Sequence, residues 1–377
     1  MSAAALEPDP APGELREVRV GGARRGRGLA GGVAAETTRR HPRRTPADVG
    51  EAQAGPPPAP GSGPTSAPAP EPVGSDVDAT AEPDTALDGP APLPPGREVA
   101  PGYTVVQHLR RGEDYDTYDA WSAVHHCHTV AKVLRPDLVG DVRTRRGLLR
   151  EAKLLRALRH PYIVRLLDLV DERGPNPVMV LESLPGGTLS DALDSYGRFP
   201  EAALAHLGQQ LGAALRYLHE HGRVHCDVKP SNIVVSAGVT RVIDLALARA
   251  PGPAPAEVGS ARYMAPEQIL GGIVTPATDV WAVGVVLHEA ATGVRPFPDG
   301  VADPEQTGSH SLSRTDSTHP RAELGRLYPQ LLRAAPRLRS RRRLPVRVAS
   351  VLDGCLLTDP AARPTLAEVH TALDALL

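Results

Sequence analysis

The sequence predicts an α+β fold of two lobes preceded by a tail, and three features of its pattern predict it. Residues 1–102 contain no Phe, Tyr or Trp and hold 19 of the chain's 40 prolines up to residue 101, a composition that cannot bury enough apolar surface to offset its ordering entropy. Strand-like alternation starts where the first aromatic stands, at Tyr103. Beyond it, short alternating runs come first and long stretches of helical periodicity come after, so that strands and helices segregate along the chain.

The tail, residues 1–100, is itself patterned. Nine arginines fall in residues 16–44, residues 55–72 are rich in Pro, Ala, Gly and Ser, and residues 71–88 carry six acids and no base. It reads as a solvated, disordered linker rather than a nucleic-acid arm. Strands are then expected over Tyr103–Val106, Thr117–Val124 and Thr129–Leu134. A helix is expected near 141–159, where Leu148, Leu149, Leu154, Leu155 and Leu158 recur at three- and four-residue spacing. Two further strands, Ile163–Leu169 and Pro177–Leu181, end at Pro185-Gly186-Gly187. Helices follow over 201–220, 277–292, 346–357 and 366–377. Between them, residues 298–320 hold Gly, Pro and seven hydroxyl residues from Thr307 to Thr318, the composition of a mobile surface insert.

A net charge of −2 gives no global pull toward nucleic acid or a membrane surface. No apolar run approaches a membrane span, and no signal peptide is visible at the start. Three scattered cysteines, Cys127, Cys226 and Cys355, are too few for a disulfide framework and suit a reducing cytoplasm.

Of 42 basic residues only three are lysines. Lys153 has the setting of a surface helix residue. The other two lie in Thr129-Val130-Ala131-Lys132 and in His225-Cys226-Asp227-Val228-Lys229-Pro230-Ser231-Asn232, beside residue types that phosphate and metal chemistry uses: a compact ammonium, a carboxylate and an amide oxygen. Further along stand Val242-Ile243-Asp244-Leu245-Ala246, then Gly259-Ser260-Ala261-Arg262-Tyr263-Met264-Ala265-Pro266-Glu267, Asp279 in Asp279-Val280-Trp281, and Arg363 in Asp359-Pro360-Ala361-Ala362-Arg363-Pro364. In this order and spacing the motifs resemble the protein kinases of the eukaryotic-like, bacterial Ser/Thr type, over about residues 103–376.

The resemblance implies a bilobal kinase fold: an antiparallel-sheet N-lobe with one helix over 103–182 and a helical C-lobe over 185–376. It implies ATP and Mg²⁺ as cofactors and protein Ser/Thr hydroxyls as acceptors, with autophosphorylation expected in the 307–318 loop. Asp227 would be the catalytic base, Lys229 would neutralise the γ-phosphate, and Lys132 would hold the α- and β-phosphates, paired to Glu151. Asn232 and Asp244 would hold the metal. Gly112 belongs to the phosphate-covering loop, and backbone groups of Glu182 and Leu184 would meet adenine in front of Leu181. Glu267, Arg363 and Asp279 would be scaffold residues. The form Asp-x-Lys-x-x-Asn matches the Ser/Thr rather than the tyrosine branch.

Three departures stand out. Where the family has Gly-x-Gly-x-x-Gly, this chain has Arg110-Arg111-Gly112-Glu113-Asp114-Tyr115, keeping the middle glycine; the loss should weaken ATP binding, with the arginine pair placed to compensate. Ala246 replaces the glycine after the metal-binding Asp, which should limit the movement of that segment. Leu245 replaces the adjoining Phe and is expected to pack with Leu155 and His225. Cys226 replaces an arginine that grips an activation-segment phosphate in many relatives, and residues 245–259 contain no Ser, Thr or Tyr to carry one. The first two departures leave a feebly catalytic, nucleotide-binding scaffold as the alternative. Among unabsorbed features, His125-His126-Cys127-His128 reads as a hairpin turn rather than a metal cluster, and Arg339, Arg341, Arg342 and Arg343 as a charged surface.

Overall fold

The computed structural model describes residues 89–297, 324–325 and 327–377. The expected tail up to residue 88 and the expected insert at 298–320 lie outside the described residues.

Six antiparallel strands form the first layer: β1 (Glu98–Ala100), β2 (Tyr103–Arg111), β3 (Tyr115–Ser122), β4 (Cys127–Leu134), β5 (Leu166–Val170) and β6 (Val178–Glu182), in the spatial order β1-β2-β3-β4-β6-β5. Along β3 every second residue, Asp116, Tyr118, Ala120 and Ser122, is buried, the period-2 signature of a strand with two unlike faces. One face packs Tyr103, Val105, Tyr118, Ala120, Val133 and Val180 into a small core of its own. That core extends before Tyr103: Leu93 packs against it, and the Leu93 N–H donates to Tyr118 Oη at 3.0 Å. Strand β2 runs five residues past Val106, through two irregularities in its register with β3. Each bulge breaks the alternation that marks a strand in sequence.

The other face of the sheet receives α1 (Val142–Ala157). Asp141 caps it by accepting the Thr144 N–H at 2.7 Å, and Thr144, Leu148, Glu151, Ala152 and Leu155 form its buried stripe. From here one apolar core continues into the helical layer, joining Leu148, Leu155 and Met179 to Leu211, Leu215, Val242, Leu245 and Val286. That layer contains α2 (Leu189–Tyr196), α3 (Glu201–Glu220), α4 (Pro266–Ile269), α5 (Pro276–Thr292), α6 (Val346–Cys355) and α7 (Leu366–Leu373). Helix α5 is buried without a break from Thr278 to His288, as expected of a helix with neighbours all round; Gly293, at φ 77°, ends it in the left-handed cap that favours glycine.

Two small sheets went unread in the sequence. β7 (Gly187–Thr188), β8 (Ile233–Ser236) and β9 (Val239–Val242) form a three-stranded sheet. Its β8–β9 turn, Ala237-Gly238, has φ of 47° and 79°, the double positive φ of a tight hairpin. β10 (Gly252–Pro253) pairs antiparallel with β11 (Ile273–Val274). The Val242 backbone also joins the layers, accepting from Val164 N at 3.0 Å and donating to Tyr162 O at 2.9 Å. No helix among the described residues is long and apolar enough to cross a membrane.

Candidate active site

Lys132 sits on β4, where alternation sends Ala131 and Val133 into the small core and leaves Lys132 facing α1. Its Nζ donates to Glu151 Oε2 at 2.9 Å and to Asp244 Oδ1 at 3.3 Å. The other Glu151 oxygen accepts the Leu245 N–H at 2.9 Å, so one carboxylate ties α1 both to the sheet and to the segment after Asp244. Burial alone would favour a neutral Lys132, but Asp244 and Glu151 outweigh it and raise its pKa. Burial likewise opposes the charge on Asp244, yet the Lys132 ammonium and the Ala246 N–H hold its carboxyl down at about 2.

The positive φ of this segment, which would disfavour alanine, does not fall on Ala246. Asp244 carries it, at 63°, and Ala246 keeps a negative φ, so alanine fits this state without strain. Leu245 is 1% exposed and shares one core with Leu155.

Asp227 centres a second group. Its Oδ2 accepts from Asn232 Nδ2 at 3.0 Å and lies 3.5 Å from Lys229 Nζ. Its Oδ1 accepts from the Ser260 N–H and Oγ at 2.9 and 2.7 Å, while Lys229 Nζ donates to the same Oγ at 2.5 Å. Ser260 therefore completes the cluster, a residue the sequence reading quoted without giving it a part; its place in the 259–267 stretch was the available signal. The loop is held from below: Asp279 on α5 accepts from the His225 and Cys226 amides at 2.8 and 2.9 Å and pairs with His219 Nε2 at 2.7 Å.

Two oxygens are free for a hard cation. Asn232 spends its Nδ2 on Asp227, and Asp244 spends Oδ1 on Lys132 and the Ala246 N–H. Asn232 Oδ1 and Asp244 Oδ2 have no hydrogen-bond partner among the described residues, and both are donors of the type Mg²⁺ prefers. The residues present fit the metal.

The stretch expected to cover the phosphates differs from expectation. Arg110 and Arg111 belong to β2, leaving only Gly112–Asp114 as the turn. Arg111 is already spent, its Nε and Nη2 each 2.9 Å from the fully buried Asp116 carboxylate, which His108 also contacts. It does not compensate for the missing glycines. Gly112 has no positive φ; a Cβ there would meet the Tyr115 carbonyl at 3.3 Å, the oxygen to which its own N–H donates.

Glu182 ends β6 with its side chain turned to Arg165 and Arg241, at 2.9 and 3.0 Å. Its N–H donates to Arg165 O at 3.0 Å, so its carbonyl is the backbone group it has left to offer. Leu184 is half-buried against the main core. Cys226, at φ 66°, packs with Val224, Val274, Leu247 and Ala254. Of the four-residue His-Cys stretch, His125 and His126 lie in the β3–β4 turn while Cys127 and His128 open β4, with His128 paired to Asp119; no cluster of potential metal ligands occurs among the described residues. Arg342 departs from the charged-surface reading: its Nη1 donates to Phe199 O and to Ala291 O at the end of α5. Glu267 and Arg363, 96 residues apart, meet in a bidentate pair at 2.7 and 2.8 Å.

The family described as Protein kinase domain matches residues 103–373. Among curated proteins, the chain is 36% identical over 182 residues to serine/threonine-protein kinase PknB of Mycobacterium leprae, covering 46% of this chain and 29% of that protein. It is 33% identical over 217 residues to PknB of Mycolicibacterium smegmatis, covering 55% and 34%. To PknA of Mycobacterium tuberculosis it is 34% identical over 190 residues, covering 47% and 44%. In each case the matched stretch is less than half of the relative's length.

Proposed function

The chain belongs to the protein kinase domain family, and from that premise we propose that it transfers the γ-phosphate of ATP to Ser or Thr hydroxyls of proteins. Membership implies ATP and a divalent metal as reactants and protein as the acceptor. The observation that carries the reading is the Asp227 cluster, one carboxylate held by Asn232 and Ser260 with an ammonium 3.5 Å away, together with the Lys132–Glu151–Asp244 chain.

Asp227 orients the acceptor hydroxyl and takes its proton as the new bond to phosphorus forms. Lys229 supplies positive charge for the transferring group, and Lys132, kept in place by Glu151, does so for the α- and β-phosphates. Asn232 and Asp244 would hold Mg²⁺, which when bound would supply positive charge against the negative charge that develops on the phosphates. Gly112 covers the phosphates, and the Glu182 carbonyl and Leu184 amide meet adenine. The Asp-x-Lys-x-x-Asn form of the loop and the Ser/Thr names of the similar proteins support the choice of acceptor. We also place autophosphorylation in residues 307–318, which carry seven hydroxyls. The reducing cytoplasm suits the three free thiols.

The test is incubation of the full chain with labelled ATP and Mg²⁺ beside Asp227→Asn and Lys132→Met. Loss of the base or of the phosphate-binding ammonium should lower transfer by about 10²–10⁴-fold. Equal labelling of all three proteins would sink the reading, and nucleotide-induced thermal stabilisation without transfer would mark a scaffold instead. Labelled sites mapped only outside 307–318 would reject the autophosphorylation site.

A further inference from the structure

Tyr115 stands where the resemblance puts the third glycine of the phosphate loop, and its side chain is engaged at both the hydroxyl and the ring. It opens β3, its hydroxyl donates to Thr144 O in the first turn of α1 at 2.9 Å, and its ring centroid lies 4.9 Å from Lys132 Nζ. A cation over an aromatic face is attracted to it, more so when both are shielded from water. Burial pushes the phenol up to about 12, so it remains a neutral donor at ordinary pH.

Helix α1 is shaped to receive this side chain. A Cβ at Gly147 would lie 2.6 Å from Tyr115 Oη but 4.0 Å from Cζ. The first distance is shorter than Cβ contacts allow; the second is ordinary contact. Glycine in mid-helix is disfavoured against alanine, yet here it keeps open the slot that the hydroxyl fills. Glu151 lies four residues on from Gly147, on the same side of the helix. Bulk at 147 that pushes α1 off Tyr115 therefore carries Glu151 away from Lys132.

We propose that Tyr115 is a positioning residue for phosphotransfer: seated in the Gly147 slot, it clamps α1 to the sheet and holds Glu151 against Lys132. The proposal rests on the reading given under Proposed function, and it explains how α1 stays in place although residues 245–259 have no hydroxyl to phosphorylate.

Four versions of the full chain test it: wild type, Tyr115→Phe, Gly147→Ala and the double variant. Three readouts apply: melting temperature, amide hydrogen exchange over 142–157, and steady-state kinetics with Mg²⁺ and ATP. In the wild-type background Gly147→Ala should lower Tm by about 2–4 °C, speed exchange in α1 and cut kcat about tenfold, with KM for ATP changed less than about threefold. Tyr115→Phe should cut kcat about threefold. In the Tyr115→Phe background the same Gly147→Ala change should raise Tm, because alanine then acts only through its helix propensity, and kcat should stay at the Tyr115→Phe value. That reversal of sign is the signature of the clamp. If Gly147→Ala shifts Tm in the same direction in both backgrounds, the proposal fails. If the wild type transfers no phosphate, the assignment of activity fails by itself, and Tm and exchange still decide the clamp.

Discussion

The Cys226 thiol is 5% exposed among apolar neighbours, and burial, with the nearby Asp279 charge, pushes its pKa up to about 12. At pH 8 that leaves about one thiol in ten thousand as the nucleophilic thiolate. A redox switch beside Asp227 would need the reverse, an exposed thiol with a lowered pKa. Alkylation of the folded protein with iodoacetamide at pH 8, read by peptide mass, should label Cys127, which is exposed, and spare Cys226 and Cys355, which are buried. Because the pKa is raised, moving to pH 9 should not expose Cys226. Its labelling at the rate of Cys127 would show instead a thiol accessible and reactive enough for such a switch.

Helix α4 is tied to the far end of the chain through its first turn. Glu267 accepts from both Arg363 terminal nitrogens, and Thr278 on α5 donates to the same carboxylate at 2.9 Å. The Arg363 side chain is 0% exposed and that of Glu267 10% exposed, and the guanidinium lies 5.1 Å from the Trp281 ring. Arg363→Ala would leave a buried carboxylate without its cation, at about 3–5 kcal/mol. Arg363→Lys should recover only part, since one ammonium cannot make the paired bonds. Urea unfolding with an unchanged m-value measures both; a loss below about 1 kcal/mol for alanine would show the pair to be dispensable. Glu267 and Arg363 were legible in the sequence because each lies in a short motif of fixed order. So were β3, α1 and α3, whose burial keeps one period from end to end, and α5, whose apolar run is long enough for a helix buried on all sides. The rest failed for physical reasons. The bulges at Val105–Gln107 and His108–Arg110 disguise half of β2. β8 and β9 are four residues each, too short to show a period. Arg111 is a salt-bridge partner of Asp116, not a phosphate ligand, because it stands on a strand and not in the loop.

Across the whole molecule, the site is assembled where the two layers meet, and its parts are joined by packing and hydrogen bonds. Glu151 reaches from α1 to the Leu245 amide. Asp279 fixes the His225–Cys226 backbone from α5. The segment beyond Leu245 is held by the β10–β11 pair, by the apolar cluster of Val224, Cys226, Val274, Leu247 and Ala254, and by Gln268 Nε2 donating to Cys226 O and Val258 O at 2.8 and 3.0 Å. In many relatives an arginine at the place of Cys226 grips a phosphate. Here that place is apolar, and residues 245–259 contain no hydroxyl, so the arrangement has no phosphate to wait for. Protein treated with a phosphatase should transfer phosphate at an initial rate within about twofold of untreated protein, since no charge-assisted contact is removed from this segment. Cys226→Arg should lower Tm without raising that rate, because the guanidinium would enter an apolar cluster with no anion to meet it. A tenfold fall on phosphatase treatment, or a tenfold gain in Cys226→Arg, would mean that a phosphate elsewhere does what the apolar cluster is assigned here.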